Sequence, residues 1–455
     1  MNILLISPAN GKWRNVGRKR WSGGRTFRFS MLSLLSVAAE CPPGSNIILV
    51  DEQLNDIPFS SHFDLVGITA MTATASRAFK IGDTFRSMGV PVVLGGMYPT
   101  FCPEESLLHA DAVCAGEVEG IWPKIVEDAR RGFLRGIYRS SEPYDLSRLK
   151  SLPRHLLSRR HYATLQAVQA TRGCPNRCSF CSVSSFHGGS FRTRPIASIV
   201  EEVRNLPDHF FIFVDDNLTA EPAYARELFH ALLPLKKHWM SQTTLQITDD
   251  PELVSLASRS GCVGLFVGLE TFSEKNLEGV VKGFNQVEEY RSRISLLHEH
   301  GIGVEAGIVL GFDQDRVDVF SKTLHTLEDL QIDMAQISIL TPLPGTPQFE
   351  RMRHRIVDCD LDHFDYHHAV LQPAGMSIEE LQSGHDWLTR EFYSPSRIAR
   401  RLRRILTMRY GFRVFPYASA INGAYFSRVR SWNIRGTDPS VKTKLQSGIV
   451  MVKAS

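Results

Sequence analysis

The feature that most constrains the fold of this chain is an alternation of short apolar runs with stretches long enough to form a helix. In the first part of the chain the runs cover residues 3–6, 47–50, 65–70, 90–94 and 112–115. Short apolar runs are typical of strands buried on both faces, and the spacing between them allows crossover helices. The sequence therefore predicts an α/β protein whose residues 1–135 form a doubly wound, Rossmann-like parallel sheet.

Three cysteines lie close together further along the chain. Cys174, Cys178 and Cys181 have Cys-x3-Cys-x2-Cys spacing, which supplies three thiolates to a four-iron cluster and leaves one iron open. A structural zinc site would need a fourth ligand, and chance proximity is the other alternative. The motif resembles that of the radical SAM superfamily. The resemblance implies a [4Fe-4S] cluster whose open iron binds S-adenosylmethionine (SAM).

A second alternation surrounds the cysteines. Strands are predicted at residues 165–171, 210–215, 243–247, 263–269, 303–310 and 336–340, with helices at 196–206, 223–235, 251–259 and 317–330. Six such units are similar to the partial (β/α)6 barrel of the superfamily, which we expect over residues 161–350. Residues 136–160, with Pro143 and Pro153, are predicted to be a linker. Residues 351–455 are expected to form a mainly helical domain.

The carboxyl ends of barrel strands carry the active site. By resemblance to the family, the expected SAM contacts are Phe180, Asp215, Asp216, Gln242, Glu270 and Gly311. Glu270 lies in a Gly-x-Glu-Thr motif similar to the Gly-x-Glu-Ser of the family, and Gly311 is expected to leave space for the adenine. Asp216 is equally compatible with a helix cap. The third strand is expected to begin at Gln242 and to continue through Gln246.

The strand ends of the first domain are similar to those of the cobalamin-binding domain that precedes many radical SAM modules. The expected cobalamin contacts are Thr69, Met71, Thr72, Gly95, Gly96, Tyr98 and Glu117. Paired glycines allow a corrin to approach the backbone. The first histidine of the chain is His62, so no histidine follows the first strand to bind cobalt from below. The alternative is a flavodoxin-like domain without this cofactor.

The C-terminal region combines a capping box, Ser377 with Glu380, and an arginine-rich helix after Pro395. It resembles the extension of a subgroup that includes hopanoid methylase relatives. Ile398, Leu402, Ile405 and Leu406 are predicted to share one face of that helix. The arginines could lie on an anionic membrane, bind an acidic partner, cover the barrel mouth or simply face solvent. His367 and His368 are expected to be structural.

Together these resemblances imply a cobalamin-dependent radical SAM methyltransferase that methylates an unactivated carbon of a natural product or lipid-like molecule, using a 5'-deoxyadenosyl radical and methylcobalamin. No proton-transfer residue is nominated. A cyclase or rearrangement enzyme without methyl transfer, a methylthiotransferase and a non-enzymatic cobalamin-binding regulator are the alternatives. An external electron donor such as flavodoxin or ferredoxin is expected as a partner, and nucleic acid is not.

Composition supports an enzyme of the cytoplasm. The chain has 455 residues, 43% of them hydrophobic, and a net charge of +4. No apolar segment approaches the roughly 18 residues that span a bilayer. Eight cysteines in so long a chain indicate a reducing compartment rather than a disulfide framework.

Overall fold

A computed structural model describes residues 1–10, 26–29, 31–60, 62–157, 162–164 and 166–431. The strands of the described residues are β1 (Asn2–Ser7), β2 (Thr26–Phe29), β3 (Asn46–Asp51), β4 (Leu65–Thr69), β5 (Val92–Gly95), β6 (Ala112–Ala115), β7 (Gly136–Arg139), β8 (Tyr162–Thr164), β9 (Ala167–Val168), β10 (Thr171–Gly173), β11 (Phe191–Thr193), β12 (Phe210–Phe213), β13 (His238–Thr243), β14 (Cys262–Glu270), β15 (Gly303–Leu310) and β16 (Met334–Ile339). The α-helices are α1 (Leu32–Glu40), α2 (Ala75–Ser87), α3 (Met97–Phe101), α4 (Pro103–Leu107), α5 (Trp122–Arg130), α6 (Ser182–His187), α7 (Ile196–Asn205), α8 (Pro222–Leu232), α9 (Pro251–Arg259), α10 (Glu274–Gly279), α11 (Tyr290–Glu299), α12 (Val319–Asp329), α13 (Pro347–Met352), α14 (Ile378–Phe392), α15 (Pro395–Thr407) and α16 (Gly411–Ser431).

The first sheet is parallel, with strand order β3-β1-β4-β5-β6-β7. Alternate residues of β1 enter different cores, since Leu4 and Ile6 pack on one face of the sheet and Ile3 and Leu5 on the other. This confirms the doubly wound fold. The predicted linker is wrong at its start, because β7 pairs with β6 as the sixth strand. Its short, half-exposed sequence gave no apolar run to reveal an edge strand.

The second sheet has the order β16-β15-β14-β13-β12-β9 and is parallel. Its two outer strands are not paired with each other, so the barrel is partial, as expected. Helices α7, α8, α9, α11 and α12 cover one face through a large apolar core.

Two predicted barrel strands differ from the observed ones. The third strand is β13, and Leu245–Asp249 forms a 3-10 helix instead. The apolar run at Leu245 and Ile247 is buried as a turn that leads into α9. The first predicted strand divides into β9 and β10, and β10 turns away to pair antiparallel with β11.

The C-terminal helices are part of the barrel rather than a separate layer. Helix α14 starts at the predicted capping box, with Ser377 and Glu380 bonding each other's backbone N–H groups, and packs on α12. Helix α16 lies against the face of the second sheet that the outer helices leave free. There Val414 and Ala418 join a core with Met240 and other sheet residues. No helix in the described part of the chain is long and apolar enough to cross a membrane.

Four of the five arginines of the arginine-rich helix α15 have partners within the protein. Arg397 and Arg400 both pair with Glu328, and Arg404 pairs with Asp333. Arg401 is buried and donates to the Phe392 carbonyl at 2.7 Å. One residue of the predicted apolar face is not buried against the protein. Leu406 is 56% exposed, whereas Ile405 is fully buried and Ile398 and Leu402 are partly buried.

Candidate active site

The three cysteines follow β10 and precede α6. Cys178 is buried, and Cys174 and Cys181 are half-buried. Burial raises the pKa of the Cys178 thiol to about 11; the Lys282 ammonium opposes this rise, and the thiols of Cys181 and Cys174 add to it. The three sulfurs therefore lie close enough to influence one another. Among the described residues, no three His, Cys, Asp or Glu side chains converge on a single metal ion.

The carboxylates after β12 hold the cysteine loop. Asp215 is fully buried and accepts from the backbone N–H of Ala170 at 3.0 Å, from the Thr171 N–H and from the Thr171 hydroxyl at 2.6 Å. Burial raises its pKa to about 7, against the effect of these hydrogen bonds. Both oxygens of Asp215 are engaged, so its expected contact with SAM is wrong.

Asp216 has a different role from its neighbour. It accepts from the Gly173 N–H at 3.1 Å and faces the cavity described below. The helix-cap alternative is wrong, because α8 begins six residues later. The next residue, Asn217, donates to the Cys174 sulfur at 3.8 Å. This whole strand end therefore supports the cysteine loop.

A buried ion pair lies beside the cysteines. Glu270 ends β14 with a φ of 65°, and one of its oxygens bonds the Nζ of Lys282. Both side chains are about one tenth exposed. Burial lowers the pKa of Lys282, but the charges of Glu270 and Cys178 outweigh burial and raise it. A Cβ at Gly268 would lie 2.3 Å from Glu270 Oε1 and 2.7 Å from Lys282 Nζ, so the pair occupies the space that this glycine leaves.

Sequence reasoning found Glu270 but missed Lys282. The lysine follows α10 in a loop, twelve residues after its partner, and no motif considered above includes it. The local sign of this residue in the sequence is that it is an isolated lysine directly after the apolar pair Val280 and Val281.

Of the other expected SAM contacts, Phe180 lies beside this pair. Phe180 has its ring centroid 5.9 Å from Lys282 Nζ and packs with Phe312 and Leu340. Gln242 is exposed, but it is the next-to-last residue of β13 rather than the first, and Gln246 lies in the 3-10 helix. Their expected places along the third strand are therefore wrong, because the predicted strand covers the 3-10 helix that follows β13 rather than β13 itself.

Gly311 directly follows β15 with a φ of 97°. A Cβ there would lie 2.9 Å from Leu381 of α14. The space beside this glycine is therefore filled by a leucine, and the expected open space for the adenine is wrong. The positive φ and the close approach of α14 explain why glycine is needed here.

A cavity of about 350 Å³ lies between the two sheets. From the first domain Thr69, Gly95, Gly96 and Glu117, four of the seven expected cobalamin contacts, line it; their contact with cobalamin stays a prediction. Gly96 has a φ of 97°, and a Cβ there would lie 2.7 Å from Thr69 Oγ1 and 2.8 Å from the Ala70 carbonyl. The barrel contributes residues that follow Cys181, among them Val183 and Phe186.

The other three expected cobalamin contacts do not line this cavity. Tyr98 is buried in the core under α2, and its hydroxyl donates to Glu105 at 2.7 Å. Burial raises its pKa above the ordinary range. Met71 is 58% exposed and Thr72 starts a 3-10 turn that packs against Leu361–His363. The backbone turns away from the cavity after β4, which the strand-end rule alone did not reveal.

A buried ion network joins the two domains at the cavity wall. Arg172 of β10 binds Glu117 at 2.9 Å and Glu119 at 2.6 Å, and Arg192 of β11 binds Glu117 at 2.7 Å. Burial disfavours the ionised form of Glu117, but Arg192, the Tyr144 N–H and Arg172 together lower its pKa to about 2. The strand that leads into the cysteines is thus fixed to the glycine-lined domain.

His187 also lines the cavity and was missed by sequence reasoning. It ends α6, six residues after Cys181, and its Nδ1 lies 3.3 Å from an Arg192 nitrogen. Burial lowers its pKa to about 4, against the charge of Glu117. The imidazole is therefore neutral at pH 7. Since guanidinium only donates, Nδ1 is the acceptor and Nε2 carries the hydrogen.

The turn after β16 forms the rim of the barrel. Thr346 caps α13 by accepting from the Phe349 N–H at 3.2 Å. A Cβ at Gly345 would overlap the ring of Phe101 from the first domain. This turn therefore contacts the neighbouring domain.

Comparison with known proteins agrees with this geometry. The profile of the radical SAM superfamily matches residues 168–321. Bacteriochlorophyllide d C-12(1)-methyltransferase of Chlorobaculum tepidum is 32% identical over 82% of this chain and 84% of its own length. The chain belongs to the radical SAM superfamily. Membership implies a [4Fe-4S] cluster and SAM.

Two further matches extend the family comparison. Hopanoid C-2 methylase of Rhodopseudomonas palustris is 25% identical over 70% of this chain and 63% of its own length, in line with the expected resemblance. The solved structure of the radical SAM methyltransferase TsrM from Kitasatospora setae, with cobalamin and a [4Fe-4S] cluster bound, has a TM-score of 0.61 at 16% identity. It covers 79% of this chain and 78% of that protein. This similarity confirms the predicted α/β fold with parallel sheets and a helical C-terminal region.

Proposed function

We propose that this radical SAM protein is a cobalamin-dependent C-methyltransferase acting on a tetrapyrrole or lipid-like molecule. The observation that carries the proposal is the shared cavity, which has glycine-lined strand ends on one side and the segment after the cysteines on the other. A group bound to the first domain and a group bound at the cysteines would face the same space. The names of the relatives supply the methyl-transfer chemistry and the substrate class.

Cys174, Cys178 and Cys181 are the proposed ligands of the cluster. Their mutual electrostatic influence and the support of their loop by Asp215 and Asn217 favour this role. When bound by these residues, the cluster would supply the electron for reductive cleavage of SAM, and cobalamin in the cavity would supply the methyl group. The protein orients these groups and excludes water.

Glu270 and Lys282 are the proposed site for the amino-acid end of SAM. That end carries an ammonium and a carboxylate, which a buried Glu–Lys pair can bind by exchanging partners. The pair lies next to the cysteines, as the influence of Lys282 on Cys178 indicates. An unpaired ion in this buried place would be unfavourable, so the two side chains pair with each other until the ligand replaces both contacts. Phe180 then packs beside them.

The cavity is the proposed cobalamin site. Thr69, Gly95 and Gly96 bring bare backbone and a hydroxyl to its wall. This suits a large flat ring that approaches the backbone. His187 is the histidine that faces the cavity among the described lining residues. Because Nδ1 accepts a hydrogen bond, Nε2 carries the hydrogen. His187 is therefore suited to donate a hydrogen bond from Nε2 rather than to bind a metal.

No proton-transfer residue is required for methylation at an unactivated carbon. Electrons must come from outside, so we propose a one-electron donor such as flavodoxin or ferredoxin as a partner. The eight cysteines form no disulfide, which supports a cytoplasmic, reducing compartment.

An anaerobic assay tests the function. Reconstituted protein would be supplied with cobalamin, a reductant, a bacteriochlorophyllide or a hopanoid, and SAM labelled in its methyl group. Label in the product supports methyl transfer, whereas deoxyadenosine formation with an unlabelled, rearranged product would establish the alternative reaction. Gly96→Val should abolish cobalamin uptake in equilibrium dialysis, and Gly132→Val is a matched control in open space.

A further inference from the structure

The turn between α15 and α16 exposes several large apolar side chains. Leu406 is 56% exposed, Tyr410 41% and Phe412 72%. Single exposed apolar residues are normal on a protein surface, but three within seven residues form a patch that needs an explanation. We name this group of three the apolar tip.

Positive charge surrounds the apolar tip. Arg403 and Arg409 are exposed and Arg413 is half-buried. Unlike the arginines of α15 that pair with Glu328 and Asp333, these three have no carboxylate within 4.0 Å in the described part of the chain. The sequence has no acidic residue between Ser396 and Gly436. The patch is therefore apolar at its centre and cationic at its edge.

The backbone holds the apolar tip in place. Tyr410 has a φ of 59°, a conformation that bulky residues adopt only when their surroundings enforce it. Gly301 provides this constraint, because a Cβ there would lie 2.6 Å from the Arg409 carbonyl and 3.0 Å from Tyr410 Cβ. On either side Ile405 and Val414 are buried in the barrel core. The backbone that carries the exposed side chains is thus packed against the barrel.

We propose that the apolar tip docks this protein on an anionic lipid surface. Leucine and aromatic side chains enter the headgroup boundary of a bilayer, and arginines beside them attract acidic headgroups. Charge complementarity favours this occupant, since the patch offers cations with no competing carboxylates.

The position of the apolar tip is compatible with activity in the docked state. Its supports, Gly301 and Ser258, precede β15 and β14, so the tip lies at the amino ends of the barrel strands. Glu270 ends β14 and lies at the opposite side. Docking would leave the site open to substrate and to the electron donor. This proposal does not depend on the identity of the methylated substrate.

Vesicle sedimentation of the full chain tests the proposal. Binding to phosphatidylcholine vesicles that contain phosphatidylglycerol should exceed binding to phosphatidylcholine alone and should weaken with salt. The double variant L406S/F412S should bind about tenfold less or weaker still, because it removes two side chains that would be buried. R403E/R409E should lose the preference for acidic vesicles.

Matched controls exclude a general effect of exposed apolar groups. Phe133 is 67% and Leu108 71% exposed, far from the tip in sequence, so L108S/F133S should bind vesicles like the parent. All these residues are on the surface, and circular dichroism should show an unchanged fold. No binding at low salt, or equal binding by L406S/F412S, would overturn the proposal. A parent protein that elutes as a dimer, with a monomeric L406S/F412S variant, would also overturn it in favour of self-association.

Discussion

Replacing Lys282 by methionine separates the two roles of the buried Glu270–Lys282 pair. Methionine keeps the length and apolar stem of lysine and removes the ammonium. The variant should lose both SAM affinity and stability, since the same charge that would hold the SAM carboxylate also neutralises Glu270 in the free protein.

The magnitudes follow from the burial of the pair. Lys282 and Glu270 side chains are 9% and 11% exposed, and removing one partner of a buried pair costs about 3–5 kcal/mol. A charge-assisted hydrogen bond to SAM contributes about 1.5–3 kcal/mol, which corresponds to roughly ten- to hundredfold in dissociation constant. Glu270→Gln should weaken SAM binding by a similar factor because it removes the partner of the ligand ammonium.

Equilibrium dialysis with SAM and denaturant unfolding, both under anaerobic conditions, measure the two effects. The double variant K282M/E270Q restores charge balance, so it should regain most of the lost stability while SAM binding stays weak. Lys275→Met, on the exposed surface of α10, is the matched control and should match the parent in both measurements. Iron content should remain unchanged throughout.

One result would refute this reasoning. If Lys282→Met binds SAM as tightly as the parent while Glu270→Gln does not, the ammonium has no contact with the ligand carboxylate. Lys282 would then be only the counter-ion of Glu270.

Two further predictions concern the cysteines and the domain interface. Replacing Cys174, Cys178 and Cys181 together by alanine should abolish both bound iron and deoxyadenosine formation, and an unchanged iron content in chemical analysis would contradict the cluster assignment. Glu117 has a pKa of about 2, compared with an ordinary value of 4.5. Its ionised form therefore stabilises the fold above pH 4.5. This contribution of roughly 3 kcal/mol is lost as the pH falls toward 2. Glu117→Gln should therefore lower the free energy of unfolding at pH 7 and make it decline less steeply in acid. Urea unfolding at several pH values measures both effects. An equally steep decline in the parent and the variant would argue against the network.

The sequence predicted the two sheets because their strands are nearly continuous apolar runs. β15 begins and ends where expected, since its eight residues are mostly buried and flanked by Gly301 and Gly311. β13 was misplaced because His238, Ser241 and Gln242 interrupt its apolar pattern, whereas the 3-10 helix after it contains Leu245 and Ile247. A buried turn and a buried strand carry the same local signal.

The candidate site was only partly predictable, for a related reason. Motif residues such as Glu270 and Gly96 follow strands directly, so the edge of a sheet determines where they lie. Lys282 and His187 come from a loop and a short helix, and only the tertiary fold brings them to the site. Asp215 looked functional because adjacent carboxylates are unusual, yet Ala170 and Thr171 use both its oxygens.

The arginines of α15 show how charge alone misleads. As a sequence they form a cationic surface, but Glu328 and Asp333, the carboxylate partners of three of them, lie about seventy residues earlier. No local pattern links residues so distant. Arg403, Arg409 and Arg413, which have no carboxylate partner in the described part of the chain, were not distinguishable from them until these partners were known.

The contact between α16 and the face of the second sheet opposite its outer helices should make these two parts evolve together. A Cβ at Gly303 would lie 2.9 Å from the Val414 side chain, so a larger residue in the sheet requires a smaller one in the helix. Shortening the chain after residue 350 would expose Met240, Val263 and Met334 to water. We expect substitutions on the two sides to be correlated among relatives, and exchange of chain endings between them to succeed only when the sheet residues are exchanged as well. The barrel and the end of the chain should evolve as one unit.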